Sequence, residues 1–175
     1  MSVSIRPYRP TDHSACRALW AEHVETQRDL YDDPGLGGSD PGAGFEAYLT
    51  RLDLSGMWVA EHPEDGVVGL IGLILSGRAG HVDPVVVTQR HRGNGVGKAL
   101  LAHVADQARR RSLRQLSVTP GSRNIVAIRA LHSAGFTTLA AVRLTLDVSG
   151  GGGDEDGTKR SESDILDVHG LTFNL

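Results

Sequence analysis

The chain has 175 residues, 39% of them hydrophobic and 22% charged, which predicts a globular protein of one domain with room for a core. A formal net charge of −3 gives no basis for nucleic-acid binding. The lone cysteine, Cys16, excludes an intrachain disulfide, and the longest apolar run, 67–75, has about half the length of a membrane span.

The opening MSVSIRPYRP lacks the apolar stretch of a secretion signal, so a cytoplasmic protein is expected. SVSIRPY alternates well enough for a first strand. A helix follows over TDHSACRALWAEHVETQRDL, with Thr11 as candidate cap and Ala15, Leu19 and Val24 at helical spacing. YDDPGLGGSDPGAG is turn chemistry, and FEAYLTRLDL reads as a short second helix. MWVAEH and VVGLIGLILSG are strands joined by PEDG, and HVDPVVVT is a third consecutive strand. A helix beginning near Gly93 carries Val96, Leu100, Leu101, Val104 and Ala108 on one side and ends in Arg109, Arg110 and Arg111, where the helix dipole favours cations. Then come a strand in LRQLSVTP, a short helix in NIVAIRALHSAGF stopped by Gly135, and a strand in TTLAAVRLTLDV. Residues 149–164 contain no apolar side chain and are expected to form a flexible loop within the one domain, 1–175. ILDVHGLTFNL alternates as a last strand. The order β-α-α-β-β-β-α-β-α-β-β implies a mixed sheet with helices on its faces.

The chemistry concentrates in QRHRGNGVGKALLAHV, where Gly93, Gly95 and Gly97 stand between Arg90, Arg92 and Lys98. Glycine reaches positive φ and lets other atoms approach the backbone closely. The first amides of a helix have no internal acceptor and carry partial positive charge. A strand, a glycine turn and a helix start therefore form a cradle for phosphate or pyrophosphate. The P-loop spacing fails, because Arg92 stands at its first glycine and Ala99 at its hydroxyl position. The dinucleotide fingerprint fails at Lys98.

Arg90-x-x-Gly93-x-Gly95, after a strand and opening a helix, resembles the pyrophosphate motif of the GCN5-related N-acetyltransferases (GNAT). NIVAIRALHSAGF is similar to a second family block, with Asn124, Ala127, Gly135 and Phe136 in register, and IRPYRPTDHSACRALW to the family's first strand and helix. The resemblance covers roughly residues 3–146. It implies an α/β (α+β) fold: a mixed, mostly antiparallel sheet flanked by about four helices and splayed between strands 4 and 5. It also implies acetyl-CoA as co-substrate, with no metal, and an amine acceptor that is a small molecule, peptide or protein. No nucleic-acid or membrane partner is expected, and a homodimer is compatible with the sequence.

In that reading the pantetheine arm pairs with Val85, Val86 and Val87. The pyrophosphate takes the turn Arg92, Gly93, Asn94, Gly95, Val96, Gly97 and Lys98, and Asn124 also contributes to the cofactor site. An amine attacks the thioester directly, which requires a base, an oxyanion donor and an acid for the thiolate. Val86 or Val87 offers the oxyanion amide, and Asp83 leads as base because period-two alternation puts it on Val85's face. Glu61 and His81 compete for that role. The tyrosine that often serves as acid falls on Leu131, and His132 is about 100° further round its helix.

The acceptor pocket is expected within residues 20–50, which hold Trp20, Tyr31, Phe45 and Tyr48 with Asp29, Asp32, Asp33, Asp40 and Glu46. These are either a box for a cationic amine or core aromatics with solvated acids. The alternative function is an acyl-CoA sensor that keeps the cradle and lacks turnover.

Overall fold

The computed structural model describes residues 3–51, 54–144, 165–168 and 171–174, without the side chains of 54, 55 or the last two segments. The expected loop 149–164 lies outside the described residues. These residues fall into two compact units, Met1–Phe136 and Thr137–Leu175.

The first unit is built on a sheet of β1 (Ser4–Pro7), β2 (Leu54–His62), β3 (Gly66–Ser76), β4 (Ala79–Val87) and β5 (Gln115–Val118), in that spatial order. Neighbours are antiparallel except for β4 and β5, which run parallel. A 3-10 turn, Pro10–Asp12, leads into α1 (His13–Tyr31), followed by α2 (Gly44–Leu49). Thr11 lies inside that turn and caps nothing, because Pro10 draws the chain into the turn one step earlier. A second 3-10 turn, Gln89–His91, precedes α3 (Val96–Arg110), and α4 (Ile125–Ser133) follows β5. Gly135 ends α4 with φ 101°, while Phe136 N–H bonds back to Leu131 O at 3.1 Å.

The alternation in β2 and β3 feeds two cores, one on each face of the sheet. Trp58, Ala60, Ile71 and Leu73 pack with Val96, Leu100, Leu101 and Val104 of α3 and with Leu131 of α4. Met57, Val59, Leu70 and Ile74 pack with Cys16 and Leu19 of α1 and with Phe45 and Tyr48 of α2. Burial pushes the Cys16 thiol up to about 12, so it is an inert core group. No helix among the described residues is long and apolar enough to cross a membrane.

The chain after Phe136 departs from expectation. TTLAAVRLTLDV does not form a strand over its described part, 137–144, whose Leu139, Val142 and Leu144 are exposed. The last segment is not one strand but a hairpin, β6 (Ile165–Val168) and β7 (Leu171–Asn174), in a separate two-stranded sheet. The alternation through ILDVHGLTFNL is real, but it is shared between two short strands.

Candidate active site

β4 opens the site. It pairs with β5 only from Ala79–Gln115 to Val82–Val118. On its other edge Leu73 faces Val82 and Ile71 faces Val85, so Asp83 and Pro84 together oppose the single residue Gly72. This is a β-bulge, and the Asp83–Pro84 peptide within it is cis. The pairing with β5 ends where the bulge begins, which produces the expected splay between strands 4 and 5.

The bulge also sets which way the backbone points. Thr88 N–H bonds to Val68 O at 3.0 Å, so alternate residues of β4 turn their amides and carbonyls towards β3. By that alternation Val86 faces β3, whereas Val85 and Val87 present theirs to the open edge. Arg92 Nε bonds to Val87 O at 2.9 Å, in keeping with an outward carbonyl.

Asp83 is not placed by simple alternation. The extra residue puts Val82 and Val85, three apart, in the same core. The period-two argument for Asp83 therefore fails, because it assumes an unbroken strand. Its side chain is about half exposed, with Oδ2 3.7 Å from Arg51 Nη1 after α2. Its carbonyl accepts the Tyr48 hydroxyl at 2.6 Å. His23 of α1 stands near enough for the Asp83 charge to act on it; burial and Arg92 hold the imidazole below its ordinary pKa, and Asp83 opposes that shift.

The two rival bases are engaged elsewhere. Glu61 receives Arg6 Nε at 2.8 Å and Nη2 at 2.9 Å, and these bonds lower its pKa. Arg6 also forks onto Asp12 at 2.7 and 2.9 Å, so Glu61 belongs to an ion-pair cluster joining β1, β2 and the turn before α1. His81 Nδ1 meets Ser117 Oγ at 3.1 Å, within the paired part of β4 and β5.

Beyond Val87 the chain turns through Gln89–His91 into the glycines. Gly93 has φ 79°, and Gly95, the residue before α3, has φ 81°. The first amide of α3 to find an acceptor is that of Ala99, on Gly95 O at 3.0 Å. Residues 92–95 before the helix are exposed, and the exposed Arg90 and Lys98 flank this turn. The Arg-x-x-Gly-x-Gly spacing recurs two residues on, as Arg92-x-x-Gly95-x-Gly97, and this second register has its first motif glycine, Gly95, at the helix start. Asn124 caps α4, its Oδ1 accepting Ala127 N–H at 3.0 Å.

Glu22 of α1 is the residue that sequence reasoning missed. Its carboxylate accepts Thr88 Oγ1 at 2.9 Å and the amide of Gln89, and it lies 3.7 Å from Arg92 Nη2. Arg92 reaches Thr26 Oγ1 as well, at 3.3 Å. The guanidinium is thus folded back over Val87 instead of facing the glycine turn. No local signal marks Glu22, since its partners lie more than 60 residues away.

The proposed acceptor aromatics divide. Trp20 meets Phe45 and Tyr48 in tilted ring contacts, with centroids 6.0 and 5.3 Å apart, and Phe45 and Tyr48 are core residues. Asp40 and Glu46 pair with Arg17, and Asp33 accepts the amide of Gly35. Tyr31 lies under Arg123 at 5.7 Å. Leu131 is 5% exposed in the core, and His132 is exposed at the surface.

Comparison with known proteins places this geometry. Residues 14–136 match the acetyltransferase (GNAT) family. Among solved structures, a ribosomal-protein-alanine N-acetyltransferase from Brucella melitensis biovar Abortus 2308 superposes with a TM-score of 0.61 at 20% identity, covering 83% of this chain and 99% of that one. PaiA N-acetyltransferase from Thermoplasma acidophilum, in complex with coenzyme A, gives 0.64 at 14% identity, covering 77% and 89%. AAC(6')-Iy in complex with the bisubstrate analogue CoA-S-monomethyl-acetylneamine gives 0.61 at 18% identity, covering 84% and 99%. No curated protein matches the sequence.

Proposed function

Since the chain belongs to the acetyltransferase (GNAT) family, we propose that it moves an acetyl group from acetyl-CoA to a primary amine, as a single acetyltransferase domain. The observation that carries this reading is the open edge of β4 running from the bulge at Asp83 to the glycine turn. One end of that edge suits a reacting thioester and the other a pyrophosphate.

The pantetheine arm pairs with the outward backbone of Val85 and Val87. The pyrophosphate takes amides of the turn from Gly93 to Lys98, each charge-assisted bond contributing about 1.5–3 kcal/mol. Arg92 leaves Val87 O for the phosphates as the arm enters, and Lys98 adds attraction that salt would screen. The amine nitrogen attacks the thioester carbon and loses its proton to Asp83, directly or through one water. An outward amide of Val85 or Val87 steadies the oxyanion better than that of Val86, which points at β3. The carbon–sulfur bond then breaks, and the thiolate takes a proton from water, because Leu131 has none to give.

The buried Leu131 and the outward His132 favour one second reading, an acyl-CoA sensor without turnover. Release of free thiol from acetyl-CoA, measured across a panel of small amines, amino-terminal peptides and protein amines, separates the two. Turnover with any acceptor supports the transferase. Tight acetyl-CoA binding with no thiol release across the panel supports the sensor.

A further inference from the structure

We propose that His62, Asp65 and His91 form a binding site for one divalent transition-metal ion of the zinc type. They come from three places in the first unit. His62 ends β2, Asp65 lies in the β2–β3 turn, and His91 closes the 3-10 turn that leads to Gly93. One potential ligand atom from each lies within 4.8 Å of the others.

The distances suit coordination. Asp65 Oδ2 is 3.1 Å from His62 Nδ1 and 3.0 Å from His91 Nε2. Ligands held tetrahedrally at 2.0–2.1 Å from zinc stand about 3.3 Å apart. The two imidazole rings meet with centroids 4.9 Å apart. Two imidazoles and one carboxylate match borderline ions such as zinc, whereas magnesium and calcium prefer all-oxygen sets.

The three groups converge on one oxygen. Asp65 Oδ2 is shared between His62 Nδ1 and His91 Nε2, the latter at hydrogen-bond distance, and the amides of Glu64 and Asp65 also approach His62 Nδ1 at 3.3 Å. A proton can bridge the carboxylate to either ring, whereas one metal ion at the centre serves the carboxylate and both rings at once. The amide contacts are long and compete only weakly for Nδ1. The site is also supported and reachable: His62 is 7% exposed, and both histidines line an open cavity of about 620 Å³ shared with Asn94, Gly95 and Val96. Three protein ligands beside open space leave a fourth position for water. A bound ion would clip the β2–β3 turn to the segment that positions the glycines.

The experiment uses the untagged full chain, stripped with chelator and titrated with zinc chloride by calorimetry, with stoichiometry read by native mass spectrometry. The expected result is one zinc per chain with a micromolar or tighter dissociation constant, and a higher melting temperature with zinc than with chelator. Asp65→Asn and His91→Gln, both outside the core, should each weaken binding at least about a hundredfold, beyond the usual loss of a supporting partner. His13→Gln on α1 should leave it unchanged. The proposal is overturned if no zinc binds at 100-fold excess over about 1 μM, if both variants bind as the parent does, or if magnesium binds equally well.

Discussion

Tyr48 donates its hydroxyl to the carbonyl of Asp83 at 2.6 Å, joining α2 to the bulge that opens β4. Gly72 makes the contact feasible, since a Cβ there would lie 1.8 Å from Tyr48 Oη and 2.4 Å from Asp83 O. Tyr48→Phe leaves the carbonyl without this partner and should cost about 1–3 kcal/mol by urea denaturation. Gly72→Ala should cost at least as much, because neither the tyrosine nor the bulged backbone has room to yield. A Gly72→Ala protein as stable as the parent would contradict this geometry.

Gly95→Asp should weaken acetyl-CoA binding more than tenfold, about 1.4 kcal/mol, by calorimetry. Part of any loss would come from the backbone, since φ at this residue is 81°. Gly95→Asn separates the causes, because asparagine tolerates left-handed φ and carries no charge. It should bind distinctly better than the aspartate variant, and equal affinities would remove the phosphate from the explanation.

Asp83→Asn keeps the size of the side chain and removes the proton acceptor. The rate with a saturating acceptor should fall by roughly 10²–10⁴-fold, the usual contribution of a general base. Acetyl-CoA affinity should hardly change. A rate within about threefold of the parent would free Asp83 from the reaction, given that range, and leave its contact with Arg51 as its role.

Glu22→Ala should raise the Michaelis constant for acetyl-CoA about fivefold, equivalent to about 1 kcal/mol, with kcat little altered. The carboxylate holds the start of the turn and touches neither reacting atom. An equal fall in kcat would indicate that α1 acts in the chemical step.

Stability should decline in acid in two stages. Burial holds His23 and His103 below the ordinary histidine pKa, with the charges of Arg92 and Arg110 adding to it. The unfolded chain therefore binds more protons than the folded one below about pH 6.5, and stability falls as pH drops. Asp12 is shifted down chiefly by its hydrogen bonds from Arg6. Its contribution is complete above the ordinary carboxyl pKa of about 4 and is lost as pH falls through the depressed value. His23→Gln and His103→Gln should flatten the first stage. Asp12→Asn should flatten the second, at a cost of about 1.5–3 kcal/mol near neutrality.

Regular alternation and helix signals made most of the first unit legible. Val96, Leu100, Leu101 and Val104 fall on one helix face, and β2 to β4 lie within a few residues of their expected bounds. Sequence reasoning fails where one residue breaks a period or where partners are remote. The bulge at Asp83 and Pro84 disturbs alternation without an obvious mark. Glu22 beside Gln89 and His62 beside His91 are tertiary meetings with no spacing rule. Leu139, Val142 and Leu144 resemble a buried strand in composition, yet nothing local tells whether such a stretch finds a pairing edge.

The bulge gives β4 two phases, with consequences for length as well as shape. Removing one residue at 83 or 84 would leave Gly72 a single partner and restore plain alternation, so Val82 and Val85 could keep their registers with Leu73 and Ile71 and their shared face beneath α3. What such a deletion would take away is the kink at which β4 parts from β5. Removing one residue from the paired segment before the bulge would instead turn the residues on one side of the cut to the opposite face. The count of residues along β4 is thus tolerant at one point and strict elsewhere: a shortened strand could still fold there and yet have lost its open edge.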